Sequence, residues 1–356
     1  MTDPKKDPSR RCLKPENWPA KDQHLWNEAL RVGDILEGSG PAAHWRPDSQ
    51  RETAKSYGRW LTFLIRRQLL KSDTLPGMRV SEQALRDYIA ELQTQVASIT
   101  VARRIRDLAG IIKVMDLDHM PAYLPRAVSA LYSLASPSRN KWSKFVAPDK
   151  LYRLGLKLMK EAEEDACRRR DWSASKYRDG LIICILAARA PRRRNLVMIR
   201  IGVHLLRMEG CYALHYSGEE MKGGRASEKK LPAELTTFVD RYLDHWRSIL
   251  LKGKVTDRLW ISYLGRPMAE GAVYDKVRAV TLHELGIQFN LHSARHALAT
   301  QVAITYPENV GIVTPLLDHA DPRTAEEAYN LSDSLSATTD YQGAMQVLRR
   351  KIVGAK

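Results

Sequence analysis

Residues 136–148, SPSRNKWSKFVAP, constrain the architecture of this chain more than any other segment. The stretch is polar and basic and carries proline near both ends, while apolar residues on either side recur at helical spacing. Proline lacks a backbone donor and restricts the residue before it, so such a stretch does not carry one helix into the next. The interdomain linker is placed at residues 137–148. A chain of 356 residues exceeds one average domain and suits two.

Ahead of the linker, residues 1–20 are polar, charged and proline-bearing and read as a mobile arm. Residues 21–136 read as four or five helices. Tyr57, Leu61, Leu64 and Ile65 form one stripe within 50–70, Ser81 is a plausible cap for a helix to Gln95, and apolar spacing continues from Ile99 to Met115. Beyond the linker, residues 149–356 open with an amphipathic helix through Glu164 and a second at 175–189. Residues 196–217 then alternate around a Glu209-Gly210 turn, which predicts a small hairpin, with a third strand near Lys229–Leu231. Helices resume to the C-terminus, including one around 331–351. The expected fold class is mainly α with a small antiparallel β-sheet.

The formal charge of +16 points to a polyanionic partner, most simply nucleic acid. The excess is shared. Residues 1–147 hold 24 Lys and Arg against 16 Asp and Glu, and residues 148–356 hold 33 against 25, a net +8 each. Both halves are therefore expected to face phosphates. The basic residues Arg51, Lys55, Arg59, Arg66 and Arg67 fit a solvated face and a DNA-lining face equally well.

The four cysteines form no CxxC pair, and Cys184 sits in the apolar run LIICILAA as a core residue. The N-terminus has no apolar signal core, and no apolar run approaches the roughly 20 residues that cross a bilayer. A soluble, cytoplasmic protein without membrane contact is expected.

The chemistry concentrates in residues 291–329. HSARH supplies His292 and Arg295 at i, i+3, and LLDHADPRTAEEAYN places His319 ten residues before Tyr329. An HxxR alone is unremarkable among ten histidines, but the ordered set of HxxR, LLDH and a later Tyr is specific. This order resembles the active-site region of the tyrosine recombinases, the phage-integrase family. The family's first arginine lies in a pattern like T-G-x-R-x-x-E-L, and RAPRRRNLVMI places Arg192 there. Its lysine lies on a hairpin in a pattern like T-K-x-x-R, which EMKGGR matches with Lys222. Asn195 stands where the family often has an acidic residue, and its carbonyl can still accept a hydrogen bond. Lys229 and Lys230 are the alternatives to Lys222, and His296 reads as structural.

The resemblance implies a helical core-binding domain that clamps DNA and a catalytic domain carrying Arg192, Lys222, His292, Arg295, His319 and Tyr329. It implies a site-specific recombinase or integrase that forms a 3′-phosphotyrosyl intermediate at Tyr329, without metal, ATP or cofactor. Expected partners are double-stranded DNA and three further copies of the chain, a homo-tetramer on two duplexes, with accessory proteins unspecified. The setting expected is prokaryotic or that of a mobile element, at the nucleoid. Two other readings share these residues: type IB topoisomerase-like relaxation, and a catalytically silent DNA-binding protein of the same fold.

Overall fold

The computed structural model describes residues 7–136, 145–165, 170–305 and 313–317. The chain separates into two compact units, Met1–Asn140 and Lys141–Lys356. Most of the proposed linker, the predicted helix at 331–351, His319 and Tyr329 lie outside the described residues.

The first unit holds α1 (Ala20–Leu30), α2 (Pro47–Arg66), α3 (Glu82–Gln95), α4 (Ser98–Met115) and α5 (Tyr123–Ser133). Pro47 opens α2 at a position whose N–H has no helical partner, and the Ser81 hydroxyl caps α3 by accepting from the Ala84 N–H at 3.2 Å. The α2 stripe faces inward: Tyr57, Leu61 and Leu64 are buried with Trp60, Tyr88, Ile105 and Ile112. Ile65 departs from the expected stripe and is exposed, one residue before the helix ends. The polar arm also departs from expectation. Trp18 is buried, and the Leu13 N–H donates to the Gly58 carbonyl at 2.9 Å, so residues 13–18 pack on α2. An aromatic side chain offers enough area to hold an otherwise polar segment.

The second unit begins with α6 (Pro148–Glu164) and α7 (Arg170–Arg189), which cross closely through two glycines. A Cβ at Gly155 would lie 2.5 Å from Cys184 Sγ and 2.6 Å from the Gly180 carbonyl, so only glycine allows this approach. The short α8 (Arg193–Met198) follows, where alternation predicts a strand. Then come β1 (Leu205–Met208), β2 (Cys211–Tyr216) and β3 (Ser227–Lys230) in an antiparallel sheet of order β1-β2-β3. Met208 pairs with Cys211 across Glu209-Gly210, the predicted turn, and Gly210 takes φ +73° there. Helix α9 (Thr236–Arg241) passes through a π turn at Tyr242–Trp246 into α10 (Arg247–Leu251). The last described elements are α11 (Glu270–Leu285), α12 (Leu291–Thr305) and α13 (Val313–Leu317). Helix α7 is the centre of this unit's core, with Leu181 through Ile185 buried on every side, and α12 packs against α6 and α7.

Candidate active site

The site is built where α7 stops. The Ala190 N–H donates to the Leu186 carbonyl at 2.9 Å, and Ala190 takes φ +43°, the left-handed conformation that closes a helix and that glycine usually supplies. Pro191 follows and blocks further helix. Ala190 stands at the glycine of the family pattern noted above, so this chain adopts the left-handed turn without the residue best suited to it. The turn delivers Arg192 to the N-cap of α8, ahead of the helix rather than on it. Arg193, the next of the three arginines, turns away to pair with Glu270 at 3.0 Å.

A pocket opens at this turn, lined by Arg189, Arg192, Asn195, Tyr216, Met221 and Lys229 among others. It is cationic from three directions. Arg189 Nε donates to the Lys230 carbonyl at 2.5 Å, tying the end of α7 to β3. Burial draws the Arg189 guanidinium below its ordinary pKa, while Tyr152 and Glu234 oppose that shift. Sequence patterns do not single out Arg189, because the family pattern has threonine at that place.

Arg295 reaches the same turn from α12. Its side chain is buried, Nη1 donates to the Ala190 carbonyl at 2.9 Å, and Nη2 donates to the Leu317 carbonyl. One guanidinium thereby joins α12 to the Ala190–Arg192 turn and to the end of α13. Arg192 and Arg295 are thus brought to one turn although they lie 103 positions apart in the chain. His292 lies on the same helix and is exposed, its ring edge-on to that of His296 at 5.0 Å.

Lys222 is exposed on the β2–β3 connection and does not line the pocket, whereas Lys229, its alternative, does. The connection is nevertheless tied to the site. Asn195 Nδ2 donates to Met221 Sδ at 3.2 Å, next to Lys222, and the Tyr216 hydroxyl donates to the Asn195 carbonyl at 3.2 Å. His204 and Glu220 meet at 2.8 Å beneath it. The motifs above include neither residue, although Ser217-x-x-Glu220 carries the capping-box spacing that could have revealed the turn. Among the described residues, no group of three His, Cys, Asp or Glu side chains is placed to hold a metal ion, and no helix is long and apolar enough to cross a membrane.

Two helical units, the second carrying a three-stranded antiparallel sheet beside an arginine-rich turn, define the class of fold, and comparison with known proteins supplies the family. The phage integrase family profile matches residues 156–334, half of the chain, and that range contains all six residues of the motif set. The chain belongs to the phage integrase family. It is 26% identical to the tyrosine recombinase XerD of Staphylococcus haemolyticus over 157 residues, 42% of this chain and 49% of that protein. The chain therefore spans about half the length of this curated relative. In fold it is similar to the XerH site-specific recombinase bound to a palindromic difH substrate, with TM-score 0.57 and 14% identity over 92% of this chain and 96% of that one. It is also similar to a lambda integrase dimer bound to a COC′ core site, with TM-score 0.51 and 16% identity over 90% and 78% of the two chains.

Proposed function

We propose that this protein is a site-specific DNA recombinase that cuts and rejoins strands through Tyr329, with double-stranded DNA as substrate and four copies of the chain acting on two duplexes. The observation that carries this reading is the convergence of Arg192 and Arg295 on the Ala190–Arg192 turn. A phosphodiester is an anion, and attack on it requires the charge on its non-bridging oxygens to be offset. Two guanidiniums offer planar paired donors and stay charged at any working pH.

In the reaction, the Tyr329 oxygen attacks phosphorus and its proton passes to His292. The bond from phosphorus to the 5′-oxygen breaks, leaving a 3′-phosphotyrosyl ester. Lys222 protonates the departing oxygen, and His319 donates to a non-bridging oxygen. A phenol is a good leaving group, so the ester keeps the energy of the cut strand and rejoining needs no ATP. None of these roles calls for a metal ion or other cofactor. Residues 21–136 serve as the DNA-clamping domain and residues 149–356 as the catalytic domain, joined by the linker 137–148.

The test is covalent capture of a nicked suicide duplex by the full chain, run in chelator. The native protein is expected to form a DNA adduct there, and Tyr329→Phe is expected to form none while binding DNA with nearly native affinity. An adduct of normal yield from Tyr329→Phe would remove Tyr329 as nucleophile, and activity that needs added magnesium would overturn the metal-free reaction.

A further inference from the structure

The connection that carries Lys222 is anchored more heavily than an exposed turn requires. Residues 217–226 link β2 to β3, and their first four close on themselves. Glu220 Oε2 accepts from the Ser217 N–H at 2.9 Å and from its hydroxyl at 3.1 Å, while the Glu220 N–H returns to the Ser217 carbonyl at 3.2 Å. The carboxylate reaches back to the Ser217 N–H as the glutamate of a capping box does, and a backbone turn closes the other side. The other carboxylate oxygen, Oε1, lies 2.8 Å from Nε2 of His204.

His204 is 2% exposed and sits just ahead of β1. Its Nδ1 accepts from the Arg200 N–H at 3.1 Å, so Nε2 carries the ring hydrogen and donates to Glu220. Its backbone carbonyl accepts from the His215 N–H at 2.8 Å, which fixes the residue against β2. A second anchor follows at once, since Met221 is buried and its sulfur accepts from Asn195. The Gly224 N–H then donates to the Met221 carbonyl at 3.0 Å, closing a four-residue turn with Lys222 in its second position. The two arms also touch, because a Cβ at Gly218 would lie 2.6 Å from the Gly224 carbonyl. Lys222 is therefore an exposed member of a turn whose preceding residues are fixed to the sheet and to α8.

We propose that His204 and Glu220 are positioning residues, a buried imidazole and a capping carboxylate that hold the 217–224 turn so that Lys222 meets the departing 5′-oxygen. The inference rests on the reading of Lys222 as the proton donor. Proton transfer needs heavy atoms within hydrogen-bond reach, and a displacement of about 1 Å can lower a rate on the order of 100-fold. A lysine stem has four rotatable carbons, so fixing its Cα removes only some of its freedom; this is why the anchors are placed on both Glu220 and Met221. A buried histidine whose Nδ1 is held by the Arg200 N–H and whose Nε2 holds Glu220 ties the turn to the backbone ahead of β1, which fits a demand for one defined placement.

The test uses the full-length protein and two suicide duplexes that differ only at the 5′-bridging atom, oxygen or sulfur. A thiolate leaves without a proton, so the sulfur duplex bypasses the acid. Lys222→Ala is expected to be slow on oxygen and restored on sulfur. Glu220→Ala is expected to follow it, with covalent capture slowed by about 10- to 100-fold on oxygen and restored to within about threefold of native on sulfur. His204→Gln keeps a donor at similar size and is the second variant should Glu220→Ala fold poorly; it is expected to be slowed less, with the same rescue. Amide exchange within 217–226 is expected to quicken in Glu220→Ala while exchange in α7 stays native. Rescue of Lys222→Ala without rescue of Glu220→Ala or His204→Gln would overturn the positioning role and leave the acid in place. Unchanged exchange in 217–226 would overturn it as well. Failure of sulfur to rescue Lys222→Ala would instead overturn the reading of Lys222, and the inference with it.

Discussion

One side chain of the motif also builds the site it belongs to. The ordered pattern of HxxR, LxH and Tyr leads to the proposal of Arg295 as a phosphate ligand, and the structure uses the same side chain as a staple between Ala190 and Leu317. Sequence spacing cannot show that, because the carbonyls it grips lie 105 and 22 residues away. Ala190 carries the cost of the turn. A left-handed alanine is strained by roughly 1 kcal/mol or more, and the proline after it disfavours the conformation further. Ala190→Gly is therefore expected to raise stability by about 1 kcal/mol, read by urea unfolding; a loss of stability would show that the turn is not strained. Glu220 sets a pH dependence. The hydrogen bond from His204 holds its carboxyl below the ordinary value of 4.5. A depressed carboxyl contributes stability that is complete above its unfolded value and lost as pH falls through its folded one. Native protein is thus expected to exceed Glu220→Gln in stability at neutral pH, with the two converging on acidification below 4.5. A gap that persists unchanged in acid would contradict this origin.

Among elements, long amphipathic helices are readable and short buried ones are not. Helices α2, α3 and α4 each leave one face exposed, so their period shows in the sequence. Residues 196–198 belong instead to α8, with Leu196 and Val197 buried, and a run too short and too buried to display a helical period reads as strand. The sheet is legible from its Glu209-Gly210 turn. The α6–α7 crossing is not, because nothing in a lone glycine states what lies across from it. Its consequence can be measured against a control. A Cβ at Gly110 in α4 would meet nothing within 4 Å, so Gly110→Ala is expected to add up to about 1 kcal/mol through helix propensity alone. Gly155→Ala gains the same propensity but must push apart helices whose backbones already touch, so a net loss of about 1–2 kcal/mol is expected. Equal effects of the two substitutions in thermal unfolding would mean that the crossing can relax.

At the scale of the molecule the sequence divides charge evenly, and the structure shows how some of that charge is already engaged. On α2, Arg51 pairs with Asp48, Lys55 lies 3.9 Å from Glu52, and Arg66 lies 2.5 Å from Glu91 of α3. Arg59 is buried and bonds Gln95. Exposed pairs of this kind are worth about 0–1 kcal/mol, so a phosphate can compete for the cation. With +8 on each side of residue 147, both units are expected to neutralise phosphates. The log–log salt slope for duplex binding is roughly −0.9 per phosphate contacted, and the full chain should show a steeper slope and tighter binding than residues 1–147 or 148–356 alone. One half that reproduced both values would assign the other half to protein contacts.

The glycine crossing also gives the second unit an internal clock. Cys184 lies fully buried against Gly155, its thiol bonded to the Tyr152 carbonyl at 3.4 Å, and burial pushes its pKa far above the ordinary thiol range. Only the thiolate is alkylated, so Cys184 stays silent until α6 and α7 separate, while the half-buried Cys12 and Cys211 react sooner. Its labelling rate under native conditions then reports how often this core opens, residue-specifically and without any introduced probe. Alkylation of Cys184 as fast as Cys211, followed by peptide mass spectrometry, would reveal a local separation of these helices far easier than global unfolding.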